Sequence, residues 1–172
     1  GFLPLFKPVA STSPNEAICF LHGKGQTPAK DGPQIRWWTE TMYETVAFNW
    51  AECGKALEDG YATAGSFRCL TANFDIKHGW HYSGTFYWVR SNKCFTRPDW
   101  RDITQEWYGT ESWVGDMWEP KDAYCVFADK SRNPYEIDYW RHELLPARAA
   151  WREQRCLKWN WAEETATRAM VG

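Results

Sequence analysis

The 172-residue chain lacks most of the short signatures that tie a sequence to one chemistry. No G-x-S-x-G elbow, no P-loop and no G-x-G-x-x-G occurs, so hydrolysis by a serine elbow and phosphate cradling by the usual glycine loops have no support. There is no D-x-D and no H-E-x-x-H. The six cysteines (Cys19, Cys53, Cys69, Cys94, Cys125 and Cys156) are widely spread, with no C-x-x-C pair and no Cys/His cluster, which argues against a structural zinc site. Most sit in apolar stretches, as buried free thiols do, and the chain has no N-x-[ST] sequon; both features fit a reducing, cytoplasmic setting. The longest apolar runs, such as "AYCVFA" at 123–128, are far short of the roughly 20 residues that span a bilayer, which leaves at most a peripheral membrane association. Net charge is −2 with signs intermixed, so neither a basic stripe for nucleic acid nor an acidic tail is present. No internal repeat or low-complexity segment appears. The opening "GFLPLFKPVASTSP" does not have the layout of a secretory signal and reads as a loop in mid-path, as though the chain began inside a larger protein.

Aromatic side chains are abundant. Thirteen tryptophans, with Tyr and Phe, bring the aromatic share to 17%. Such rings fill cores, and Trp and Tyr also carry a polar handle. The C–H faces of sugars lie well on them, so composition leaves core filling and sugar binding both open. The length suits a single domain with a real core: residues 1–15 as a leading loop, 16–153 as the core and 154–172 as a C-terminal tail.

"EAICFL" (16–21) reads as a buried strand that runs into the glycine-rich loop His22-Gly23-Lys24-Gly25. Pro33 then suits a first helical turn. Ile35, Trp38, Met42, Val46, Trp50, Cys53 and Leu57 recur at helical spacing up to Gly60. An unbroken helix over 33–59 would be about 40 Å long. "YATAGSFRCL" (61–70) and "WHYSGTFYWVRS" (80–91) read as strands, "TESWVGDMW" (110–118) as a short helix capped by Thr110, and "DAYCVFAD" (122–129) as a strand. Ile137, Trp140, Leu144, Ala147 and Trp151 mark a last amphipathic helix that Pro146 must kink or split. This order predicts an α/β or α+β layer fold.

Several residues have side chains suited to chemistry. His22 and Lys24 sit at a strand's end, where open α/β sheets bind ligands; a glycine-rich turn with a solvated lysine is the plain alternative. Strand alternation would put His81, Ser83, Thr85 and Tyr87 on one face, with Gly84 allowing close approach to the backbone. His81 then lines a cleft or is a satisfied core histidine. His78 and His81 form an H-x-x-H without the helical spacing of a metal pair. Glu136 and Asp138 suit a helix start.

Four segments, in order, resemble a group of bacterial-type glycosyltransferases. "ICFLHGKG" is similar to their "YLHTKG", "ALEDGYATAG" to "ALEDGYDAVG", "HYSGTFYWVRSN" to "HFSGNFWWARSD", and "WYGTESWVG" to the following "aEfW" segment. Together they cover residues 16 to about 118. The resemblance implies a GT-A, Rossmann-like mixed sheet with a long amphipathic helix. It implies transfer of a sugar from a nucleotide-sugar donor to a glycan or other hydroxyl acceptor, by direct displacement. Glu111 becomes the candidate base, with Asp116 as substitute. His22, Lys24, Gly25, His81, Ser83 and Gly84 would hold the donor diphosphate without a divalent metal, since the usual D-x-D is missing. Trp80, Trp88 and Trp113 would stack the acceptor. Only about fifteen residues precede the first strand, whereas a βαβ unit needs roughly 30. The nucleotide-binding half is therefore expected to be reduced, absent or supplied by a partner chain. The alternative function is a non-catalytic carbohydrate-binding or structural assembly module that keeps the fold.

Overall fold

Runs of apolar and β-branched residues build the sheets. The computed structural model describes residues 15–21, 32–70, 75–106 and 108–155. Within them the strands are β1 (Ala17–Phe20), β2 (Thr63–Ser66), β3 (Arg68–Cys69), β4 (His81–Tyr82), β5 (Tyr87–Arg90) and β6 (Ala123–Phe127). The main sheet has the order β1-β5-β2-β6. β5 is antiparallel to both neighbours and β2 is parallel to β6. β1, β2 and β6 therefore run the same way, and their carboxyl ends share one edge. β3 and β4 form a separate antiparallel pair. With its helices this is a mixed α/β architecture.

Both long strands expected from the sequence are interrupted. Phe67, at φ 56°, separates β2 from β3. Gly84 at φ 104° and Thr85 at φ 55° separate β4 from β5. Alternation from His81 to Tyr87 stops at that turn, because left-handed residues reset the side-chain direction.

The expected helix over 33–59 is also broken. It consists of α1 (Pro33–Met42), a π-helical segment at Tyr43–Phe48 and α2 (Trp50–Glu58). Back-bonding explains the wide turn: the Thr41 and Thr45 hydroxyls donate to the carbonyls of Trp37 (2.6 Å) and Thr41 (2.7 Å). The Val46 carbonyl accepts the Trp88 indole N–H at 2.9 Å. Asn49 leaves helical geometry at ψ 35°, and the apolar stripe loses phase there. Trp50, placed on the stripe by periodicity, is 64% exposed, while Cys53 and Leu57 are buried. Gly60 closes the helix at φ 108°, as its position suggests.

The remaining helices are α3 (Ser91–Cys94), α4 (Gly109–Met117), a short 3-10 turn (Pro120–Asp122), α5 (Ile137–Tyr139), a second π segment (Trp140–Leu144) and α6 (Leu145–Gln154). α4 starts without a side-chain cap, and Tyr108, not Thr110, holds the cap position. The second π segment ends just before Pro146, which lacks an N–H and would crowd the carbonyl four residues back. Among the described residues no helix is long and apolar enough to cross a membrane.

Helices cover both faces of the sheet. On one, Trp38, Met42, Val46, Phe67, Phe127 and Trp140 pack together; on the other, Phe20, Trp80, Tyr82, Tyr87, Trp113 and Val114. Most of the described tryptophans are core fillers, and several have their polar atom satisfied. The indoles of Trp80, Trp113 and Trp140 donate to the carbonyls of Trp118 (2.7 Å), Trp100 (3.1 Å) and Pro134 (2.8 Å). Cys19, Cys53, Cys94 and Cys125 are free thiols, and burial pushes each of them up to about 12. Cys156 lies outside the described residues.

α4 docks on the chain before β4 with nothing between them. A Cβ on Gly115 would lie 1.8 Å from the Trp80 carbonyl oxygen. The His78 N–H donates to the Gly115 carbonyl at 3.1 Å, and the Lys77 N–H to Asp116 Oδ1 at 2.9 Å. Elsewhere Arg68 binds two carbonyls, of Pro120 and Ala123 (2.7 and 2.6 Å), and forks onto Asp129 (2.8 and 2.9 Å).

Gly115→Ala should therefore lower unfolding stability by about 2–3 kcal/mol in urea melts. Gly54→Ala, inside α2 with nothing within 4 Å of its Cβ position, should be neutral or stabilise by up to about 1 kcal/mol. Equal effects from the two would show that α4 can move off β4.

The hydrogen bonds from Arg68 hold the Asp129 carboxyl below its usual range, against a smaller opposing effect of burial. A depressed carboxylate stabilises the fold above its unfolded value of about 3.9 and ceases to as pH falls through the lower folded value. Asp129→Asn should flatten the acid limb of the stability profile. At pH 7 it should cost about 1 kcal/mol or less, because Asp129 is half-exposed. An unchanged acid limb would remove Asp129 from the linkage.

Candidate functional site

The carboxyl edge of the sheet gathers most of the chemistry. Phe20 lies opposite Tyr87, so β1 leaves the sheet at Leu21 beside the turn between β4 and β5. The Ser83 N–H donates to the Phe67 carbonyl at 3.0 Å and ties this turn to the end of β2. From the other side α4 brings Glu111 in its first turn, where the partly positive end of the helix stabilises negative charge. The Tyr87 hydroxyl donates to the Thr110 carbonyl at 2.9 Å and fixes that end of α4 on β5.

Glu111 meets the turn directly. Its Oε1 accepts the Gly84 N–H at 2.8 Å and lies 3.6 Å from His81 Nε2. Ser83 Oγ is 3.3 Å from the same ring nitrogen. His81 and Ser83 are buried, and the Glu111 side chain is 16% exposed. The φ of 104° at Gly84 aims its amide at the carboxylate, a geometry that side-chain-bearing residues adopt at a cost. This is not a Ser-His-Glu relay, in which the acid holds the ring nitrogen opposite the one facing serine. It is a positioned carboxylate with an imidazole and a hydroxyl beside it.

Tyr135 lies toward the same edge of the sheet, and the sequence reading did not name it. It sits in the loop after β6, is 40% exposed and sets its ring edge-on to Trp38 at 5.2 Å. Burial first, and then the Glu111 charge, raise its hydroxyl above the usual value. The signal for it was its place in "RNPYE", just past a strand's carboxyl end.

The other expected site residues divide as follows. His81, Ser83, Gly84 and Glu111 come together. Asp116 does not: five residues further along α4 it points about 140° away, and it accepts the Lys77 N–H and the Ser112 hydroxyl, the latter at 3.4 Å. Trp80 and Trp113 are at 0% and 1% exposure, which leaves no face for a sugar. Trp88 is partly buried, packs on the α1–α2 side and is held by Val46. His22, Lys24 and Gly25 lie outside the described residues. Asp138 pairs with Arg141 at 3.7 Å at the start of the last helix, as its position suggests. Among the described residues no group of three or more His, Cys, Asp or Glu is placed to hold a metal ion.

No protein-family model, curated protein or solved structure matches the chain.

Removing the Glu111 carboxylate strands a partly buried donor. In Glu111→Ala, hydrogen-exchange protection of the Gly84 amide should fall by about tenfold or more, whereas Glu111→Gln, which keeps an acceptor oxygen, should preserve most of it. Unchanged protection in the alanine variant would show that the turn holds its shape without α4.

Proposed function

We infer that the chain is a GT-A type glycosyltransferase domain, which moves a sugar from a nucleotide-sugar donor to a hydroxyl of a glycan or similar acceptor. The observation that carries this reading is the meeting of Glu111 with His81, Ser83 and Gly84 at the carboxyl edge of β1, β2 and β6. Ligands of open α/β sheets collect at that edge. The ordered resemblance of four segments to a glycosyltransferase group supports it independently.

In this mechanism Glu111 is the base. Its carboxylate takes the proton of the acceptor hydroxyl as that oxygen attacks the anomeric carbon. The new C–O bond forms as the bond to the diphosphate breaks, and the nucleoside diphosphate leaves with the electron pair. The Gly84 N–H orients the carboxylate. His81 and the His22/Lys24 loop meet the charge that develops on the leaving group, so no divalent metal is required. Acceptor stacking falls to the half-exposed Tyr135, since Trp80, Trp88 and Trp113 are committed to packing.

The test is turnover of a panel of uridine and guanosine diphosphate sugars by the intact chain, with and without Glu111→Gln. The variant should lose about 10²–10⁴-fold in kcat and keep its thermal midpoint. Absence of turnover with every donor overturns the reading, and equal turnover in the variant takes Glu111 out of the mechanism.

A further inference from the structure

A concavity lies between α1 with its π segment and α6. It encloses about 560 Å³, within the range of small-molecule sites. It shares no residue with the Glu111 cluster.

Its floor is a product of the π segment. In an α-helix, residues five apart point about 140° away from each other. A turn closed by i→i+5 hydrogen bonds brings them onto one side. Tyr43 and Phe48 are such a pair: their rings lie 6.1 Å apart at 31°, and each is more than a third exposed. Two large, half-exposed rings in a hollow form an apolar platform suited to a flat partner.

The rim is cationic. Arg36, Arg148 and Arg152 face the hollow, with Glu40 among them and Glu44 behind. Three guanidiniums against two carboxylates leave a net positive charge. The carboxylates hold mainly the inner edges: Arg36 Nε lies 2.7 Å from Glu40, and Arg148 Nε 2.7 Å from Glu44. Arg148 Nη1 is 3.6 Å from Glu40, and Arg152 reaches Glu44 through Nε and Nη2. The Arg36 side chain is 82% exposed. The Arg148 side chain is only 8% exposed, so its charge is felt in a poorly solvated setting. Guanidinium forks grip phosphate and carboxylate through paired hydrogen bonds.

We propose that this pocket binds a small anion built on a flat ring, its ring on Tyr43 and Phe48 and its phosphate or carboxylate on the rim formed by Arg36, Arg148 and Arg152. The site is independent of the glycosyltransfer reading.

Calorimetric titration of the intact chain tests it with four probes. Adenosine monophosphate carries ring and phosphate, benzoate ring and carboxylate, adenosine the ring alone, and inorganic phosphate the anion alone. At least one of the first two should bind about tenfold or more tighter than either half-ligand. Adenosine monophosphate alone assigns a phosphorylated ligand, and benzoate alone a carboxylated one. Arg36→Gln, at an exposed position, should weaken binding about fivefold or more and leave the thermal midpoint unchanged. Phe48→Ala should weaken it similarly, and Glu111→Gln should not alter it. The proposal fails if neither ring-bearing anion binds, if inorganic phosphate or adenosine binds as tightly as both, or if Arg36→Gln and Phe48→Ala both retain wild-type affinity.

Discussion

Because residue 115 has no side chain, α4 can rest its backbone on the backbone at Trp80, and the geometry around Glu111 descends from that contact. The helix is held there three times over: by the His78 amide on Gly115, by the Lys77 amide on Asp116, and by the Trp80 indole on the Trp118 carbonyl. Glu111 is one turn upstream on the same rigid rod. Its reach to the Gly84 amide follows from where the rod lies rather than from its own side-chain flexibility. Any residue larger than glycine at 115 would lift α4, and the carboxylate and the turn would separate.

The helix layer on the other face uses different means. Two π segments interrupt helices that would otherwise run straight. One arises from threonine hydroxyls that compete for backbone carbonyls, the other from a proline that cannot join the ladder. Both widen a turn without ending the helix, and both change which side chains face outward. The salt bridges of Glu44 with Arg148 and Arg152 then tie the two interrupted helices together. These links are partly buried, where ion pairs confer geometry more surely than stability.

Much of the element order was legible in the residues. Periodicity announced β1, β6, α4 and the apolar face of α1, and Gly60 and Pro146 marked a stop and a distortion where they occur. The breaks inside elements were not legible. Nothing in the composition of "YATAGSFRCL" requires a left-handed Phe67, which arises from the change of partner between two sheets. Trp50 was placed on a buried stripe because counting in steps of three and four assumes an unbroken helix. At the site, His81 and Glu111 were named from the sequence, but their contact is tertiary. Asp116 looked equivalent to Glu111 until helical geometry turned it toward Lys77. Tyr135 was missed because it belongs to no motif, and its place beside Trp38 follows from the path of the loop after β6.

The distribution of indoles makes the molecule its own optical probe. Trp80, Trp100, Trp113 and Trp118 report from the layer under α4, and Trp38, Trp140 and Trp151 from the layer under α1 and α6. Trp50 alone among the described tryptophans faces open water. Buried indoles emit to the blue of solvated ones, so loosening of either layer registers as a red shift against a constant background from Trp50. Single Trp→Phe replacements can then assign the colour change to one side of the sheet or the other.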